Sequence, residues 1–180
     1  MRRAGIFLAL AVSAGLACSN QEEPAFSVSV DDEKAVLGAI ACGRGGPVIA
    51  TASAPPSEWS DVGKLRTALG SLMKATDDRP ALAQDTLTAF AGRARASELA
   101  LFPGDLHCPN VSLLTWKEYS RRGTGAMAFS RVAFNRRGTQ ALVLVTSASG
   151  SMMGSSDTFL FLTRPAGTWV VVGRVPWAVA

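Results

Sequence analysis

Ala141-Leu142-Val143-Leu144-Val145 and Phe159-Leu160-Phe161-Leu162 decide the fold of this chain. Both runs are strand-length and apolar at every position. A strand with one wet face alternates between apolar and polar, whereas these two must be covered on both faces. Working outward, residues 127–134, 140–147, 158–164 and 168–175 are β-rich. Turn chemistry separates them at Asn135-Arg136-Arg137-Gly138, along residues 148–157, and at Pro165-Ala166-Gly167. Such spacing predicts consecutive hairpins.

Upstream the period changes. Val36, Leu37 and Ile40 recur at helical spacing behind the acidic turn Asp31-Asp32-Glu33, which suits a helix N-terminus. Gly43 to Gly46 ends that helix, and Pro47-Val48-Ile49-Ala50-Thr51 reads as a short buried strand. From Asp61, the residues Leu65, Leu69, Leu72 and Met73 share a face, predicting a helix that runs to Met73. Asp77-Asp78-Arg79-Pro80 opens a further predicted helix, with Leu82, Leu87 and Phe90 inward and its end near Gly92. Residues 102–110 read as irregular, and residues 115–119 as one helical turn. The expectation is a single α+β domain over residues 31–180. In it about three N-terminal helices pack on one face of a C-terminal four-stranded antiparallel meander.

The N-terminus reads as a targeting signal over residues 1–17. Arg2 and Arg3 precede an apolar run at residues 6–12, and Gly15 and Ala17 are the small residues a signal peptidase accepts. That run is too short to span a bilayer, which takes about 20 apolar residues. Cys18 follows Ala17 directly, as the lipidated cysteine of a bacterial lipoprotein does, although Gly15 stands where a lipobox carries an aliphatic residue. Residues 18–30 are then a tether, polar and proline-containing at Ser19-Asn20-Gln21-Glu22-Glu23-Pro24. The expectation is export to the bacterial cell envelope, with the membrane as a partner through lipid on Cys18.

With Cys18 so used, Cys42 and Cys108 remain as an even pair in an oxidising compartment, which predicts a disulfide. A zinc site needs about four ligands, and two spare cysteines beside the single His107 do not supply them. No metal or cofactor is expected. Losing Arg2 and Arg3 with the signal lowers the formal charge from +4 to +2. The doublets Arg121-Arg122 and Arg136-Arg137 read as solvated turns, so no nucleic-acid partner is expected.

The stretch Phe129-Ser130-Arg131-Val132-Ala133-Phe134-Asn135, followed by Thr139-Gln140-Ala141-Leu142-Val143, carries a resemblance. Together with Gly150, Gly154, Gly167-Thr168-Trp169 and Trp177, it resembles a family of bacterial exported proteins and lipoproteins of uncharacterised activity. Residues 33–39 and Val48-Ile49-Ala50-Thr51 are similar to that family's first helix and strand. The resemblance implies the fold and export, and no mechanism. Family members often carry cysteines in the glycine loop, where this chain has serines and methionines. Physically the signature reads as structural, with Phe129, Val132 and Phe134 packing inward and Asn135 and Gly138 setting a turn. Arg131 is the odd member. Its guanidinium fork is a candidate anion contact, or it pairs with an acidic neighbour such as Glu118.

The strongest binding candidate is the loop carrying Ser149, Gly150, Ser151, Met152, Met153 and Gly154, which is long for a hairpin. It lacks the Gly-x-Ser-x-Gly order of a nucleophile elbow. His107, with Asp105 two residues before it, is the sole candidate for a histidine base. Trp59, Trp116, Trp169 and Trp177 are candidates to line a pocket for a sugar or apolar ligand, or to close a core. Two functions follow as expectations: a non-catalytic envelope module that binds a protein or small molecule through the 149–154 loop, or a hydrolase using His107 with a serine of residues 149–156.

Overall fold

The computed structural model describes residues 27–122, 125–148 and 155–177. The predicted signal, Cys18 and most of the tether therefore lie outside the described residues, as does the loop from Ser149 to Gly154.

The two apolar runs form the centre of a sheet. Strand β6 (Gln140–Ala148) pairs antiparallel with β7 (Ser155–Thr163) along its whole length. Alternation sends Ala141, Val143 and Val145 to one face together with Leu160 and Leu162. Leu142 and Leu144 go to the other face with Phe159 and Phe161. All but Leu144 in these two runs are fully buried, Leu144 being 3% exposed. Burying a side chain the size of Phe161 contributes about 1.5–3 kcal/mol, so neither face can stay wet.

Here the architecture corrects the sequence-based expectation. Among the described residues the sheet is mixed and eight-stranded rather than a four-stranded meander, and three of the four helices are divided between its two faces. Its main path also contains β1 (Gly46–Ser53), β2 (Leu99–Ala100), β4 (Ala126–Ser130) and β8 (Val170–Trp177), in the order β2-β1-β4-β6-β7-β8. Strand β3 (Val111–Leu114) lies parallel to β1, and β5 (Ala133–Phe134) continues the pairing with β6. The departure comes from β1, which runs parallel to β4 and extends the sheet past the hairpins.

Helix α1 (Val30–Arg44) covers one face with Val36, Leu37, Ile40 and Ala41. The other face is covered by the turn Ser57–Ser60, α2 (Val62–Ala68) and α3 (Gln84–Gly92), which contribute Trp59, Leu65, Leu87 and Phe90. Since β6 and β7 are apolar on both sides, placing every helix on one face would have left half of their side chains in water. Helix α4 (Trp116–Arg122) stands at the β3 edge.

Local chemistry sets the element ends. Ser29 and Asp32 form a reciprocal capping box at the start of α1 (Ser29 N to Asp32 Oδ2 3.1 Å; Asp32 N to Ser29 Oγ 3.1 Å), a device worth about 1 kcal/mol. Gly45, at φ +68°, closes the helix and donates to Ala41 O.

Helix α2 stops at Ala68, short of the expected Met73. The Arg79 guanidinium takes up the carbonyls of Leu72, Ser71 and Lys74 at 3.0, 2.8 and 3.0 Å, folding residues 69–82 into a turn. The next helix consequently begins at Gln84 rather than at Pro80. Its cap arrives from the sheet, because Ala83 has no capping side chain and the Gln140 Oε1 accepts from Ala83 N at 2.8 Å.

Candidate functional site

The expected β-run 127–134 is interrupted at Arg131, and the interruption builds the most charged site in the interior. The backbone leaves the ladder after Ser130, whose Oγ accepts from Leu144 N (2.9 Å) in place of a strand partner. Arg131 N instead donates to Ser53 O at 2.7 Å. The Arg131 side chain then meets Glu33 on α1 in a bidentate pair, Nε to Oε2 at 2.8 Å and Nη2 to Oε1 at 2.7 Å. Its Nη1 donates to Ser97 O.

Glu33 is 2% exposed, also accepts from Val132 N (3.2 Å), and forms an ion pair with Arg93 Nη2 (3.4 Å). Arg93 in turn donates from Nε to Val132 O at 3.0 Å. The Glu33 hydrogen bonds hold the Arg131 pKa above its ordinary value. The acidic partner of Arg131 is thus Glu33 and not Glu118, whose carboxylate caps α4 at Thr115 N (2.8 Å). Both prongs of the guanidinium fork, expected as an anion contact, face an internal carboxylate. Glu33 was readable in principle: it lies three and four residues before Val36 and Leu37, on the apolar face of its helix.

The rest of the signature is also structural in its contacts. Asn135 Oδ1 accepts from Thr139 N and Gln140 N at 2.8 and 3.0 Å, and Gly138 takes φ +66°, which together make the turn into β6. Trp169 packs on Phe134 with ring centroids 5.5 Å apart, and Arg164 lies over its ring.

Cys42 and Cys108 form a disulfide with Cα atoms 5.4 Å apart, joining the last turns of α1 to the 102–108 segment. One turn earlier Gly38 allows the same close approach, since a Cβ there would stand 2.7 Å from Leu106 O. His107 adjoins this bridge with a left-handed backbone (φ +51°). It shares a small hollow of about 240 Å³ with Phe102, Cys108 and Ser112. Asp105 does not orient it. The Asp105 carboxylate accepts from Phe102 N (2.8 Å) and pairs with Lys34 (2.9 Å), and these two partners hold its pKa below the ordinary carboxylate value. The Asp105–His107 pair imagined for a hydrolase is therefore not assembled, and the serines from Ser149 to Ser151 lie outside the described residues.

At the strand ends that lead into the 149–154 loop, two tryptophans meet. Trp177 pairs with Asp157 in the β7–β8 ladder, and Asp157 Oδ1 accepts from Thr146 Oγ1 at 2.7 Å. The Trp59 ring stands edge-on to Trp177 and to Phe159, each with centroids 4.9 Å apart. Trp59 and Trp177 line an open groove of about 810 Å³ with Glu58, Asp61, Lys64 and Thr67 on its walls. Trp59 is 3% exposed, and its buried indole N–H has no acceptor among the described residues. Buried donors are nearly always paired. No sequence signal joins Trp59 to Trp177, because only the order of the sheet brings them together. Of the other two tryptophans, Trp169 is buried and Trp116 is exposed.

Among the described residues, no group of three or more His, Cys, Asp or Glu is placed to hold a metal ion. No helix among them is long and apolar enough to cross a membrane. No protein-family model matches the chain, and no curated protein or solved structure matches it either.

Proposed function

We propose that this chain is an exported, lipid-anchored binding module of the bacterial envelope, non-catalytic, whose ligand site is the groove lined by Trp177 and the edge of the Trp59 ring. The observation that carries the reading is the meeting of two indoles in an open groove with a polar rim. Few side chains offer more apolar contact area at low entropic cost than tryptophan, and Glu58, Lys64 and Thr67 stand ready to hydrogen-bond a ligand's rim. That combination suits a sugar ring, which is apolar on its C–H faces and polar around its edge. The Cys42–Cys108 disulfide supports export, since such bonds persist in oxidising compartments. The Ala17-Cys18 junction supports the anchor.

Two measurements test this reading. Grown with an alkyne palmitate analogue, cells making the full chain should label it, and Cys18→Ser should abolish the label. Label that survives Cys18→Ser overturns the anchor. Titrating the mature chain carrying Cys18→Ser with N-acetylglucosamine oligomers should give a saturable change in tryptophan fluorescence. Trp177→Ala should weaken that response at least tenfold, about 1.4 kcal/mol of binding. An unchanged affinity in Trp177→Ala, or no saturable response in the parent, removes the groove as a sugar site.

A further inference from the structure

Phe102 and Trp116 are 62% and 54% exposed, the two most exposed of the large apolar side chains among the described residues. The topology brings them to one edge. Leu101 N donates to Ala50 O, and Leu114 pairs with Ile49, so the chain leaves the outer edge of β1 toward Phe102 and toward Trp116 from adjacent residues. Phe102 also lines a hollow with Leu113, three residues before Trp116. On α4, Tyr119 stands edge-on to Trp116 with centroids 5.9 Å apart. Lys117 and Arg121 are exposed on the same short helix.

Neither Phe102 nor Trp116 belongs to either of the two apolar cores. Phe102 is nevertheless held firmly, because Asp105 accepts from its backbone N–H while pairing with Lys34 in the first turns of α1. Lys34 lies four residues after Val30, where the tether enters that helix. The edge carrying the exposed aromatics is thus braced against the root of the tether.

We infer that this edge, made of Phe102, Trp116, Tyr119, Lys117 and Arg121, lays the folded domain onto a bilayer surface bearing anionic headgroups. Aromatic rings with a polar end favour the headgroup level of a bilayer, and basic side chains beside them meet anionic lipid. Charge complementarity and the nearby tether root select a membrane over a soluble partner. Residues 19–29, fully extended, span at most about 40 Å, so a lipid on Cys18 keeps the domain within reach of the bilayer. In supplying the lipid the inference rests on the anchored reading above. The docking edge itself is separable from it.

The experiment uses the mature chain carrying Cys18→Ser, so that binding cannot come from lipid on the protein. Sedimentation with vesicles of phosphatidylethanolamine and phosphatidylglycerol should show saturable binding that weakens as salt is raised. Vesicles of phosphatidylcholine alone should bind at least tenfold more weakly. Phe102→Ser with Trp116→Ser, and separately Lys117→Glu with Arg121→Glu, should each reduce binding at least tenfold. Unchanged thermal unfolding in both variants would show that the fold is intact, as expected for exposed side chains. Absence of vesicle binding by the parent, or full binding by both variants, overturns the inference. A failed palmitate label with retained vesicle binding would remove the anchor and leave the docking edge standing.

Discussion

Replacing Glu33 with alanine lowers stability by roughly 3–5 kcal/mol, the range seen when one partner of a buried ion pair is deleted. The cost has two parts. Arg131, whose side chain is 11% exposed, keeps a charge that can no longer be paired where it lies. Val132 N loses its acceptor in an interior position, a loss of about 1–3 kcal/mol by itself and included in the range above. The two do not simply add, because Arg131 and Val132 N share the one Glu33 carboxylate. Chemical denaturation of Glu33→Ala, with Arg131→Ala and the double variant beside it, checks the expectation. A double variant no worse than Glu33→Ala is the expected result, since it no longer carries the Arg131 charge, and Arg93, 25% exposed, can turn to water. If Glu33→Ala unfolds within 1 kcal/mol of the parent, the ion pair does not organise this junction.

Opening the Cys42–Cys108 bridge has the second large effect. The cross-linked residues are 66 apart in sequence, and chain-entropy arithmetic for a loop of that size gives about 4 kcal/mol. The bridge also reinforces a contact made without it, where Gly38 lets α1 sit against Leu106. Cys42→Ser with Cys108→Ser should therefore remain folded at low temperature but unfold at a clearly lower denaturant midpoint. The parent in a reducing agent should match the double variant. Equal midpoints for the oxidised and reduced parent would show that the bridge adds nothing.

The central strands were legible because their signal is local. Residues 141–145 and 159–162 state their own type and double-sided burial, although β7 begins at Ser155, three residues before the expected 158 and inside the expected 148–157 loop. The α1 periodicity and the turn at Asn135 and Gly138 were legible for the same reason. Long-range terms decided the rest. Pairing β1 parallel to β4 depends on how residues far apart in sequence compete for a strand edge, and it turned an expected meander into a mixed sheet.

The ends of α2 and α3 shifted because Arg79 and Gln140, ordinary polar residues by sequence, supply hydrogen bonds from outside each helix. Arg131 stood out as a charge within a β-run, yet the choice among its acidic partners lay in the packing of α1. The groove was the least legible part, since Trp59 and Trp177 lie far apart in sequence and meet only when β8 closes the sheet.

The parallel pairing of β1 with β4 bears on how the chain acquires its structure in time. A strand finished at Ser53 must wait for Met127 before its inner edge is satisfied. Contacts of such long sequence separation slow folding and leave a strand edge open to wrong partners meanwhile. In a chain emerging N-terminus first, α1 can cover one side of β1 early, and β2 and β3 can occupy its outer edge next. The inner edge of β1 is then the seam along which the finished domain closes.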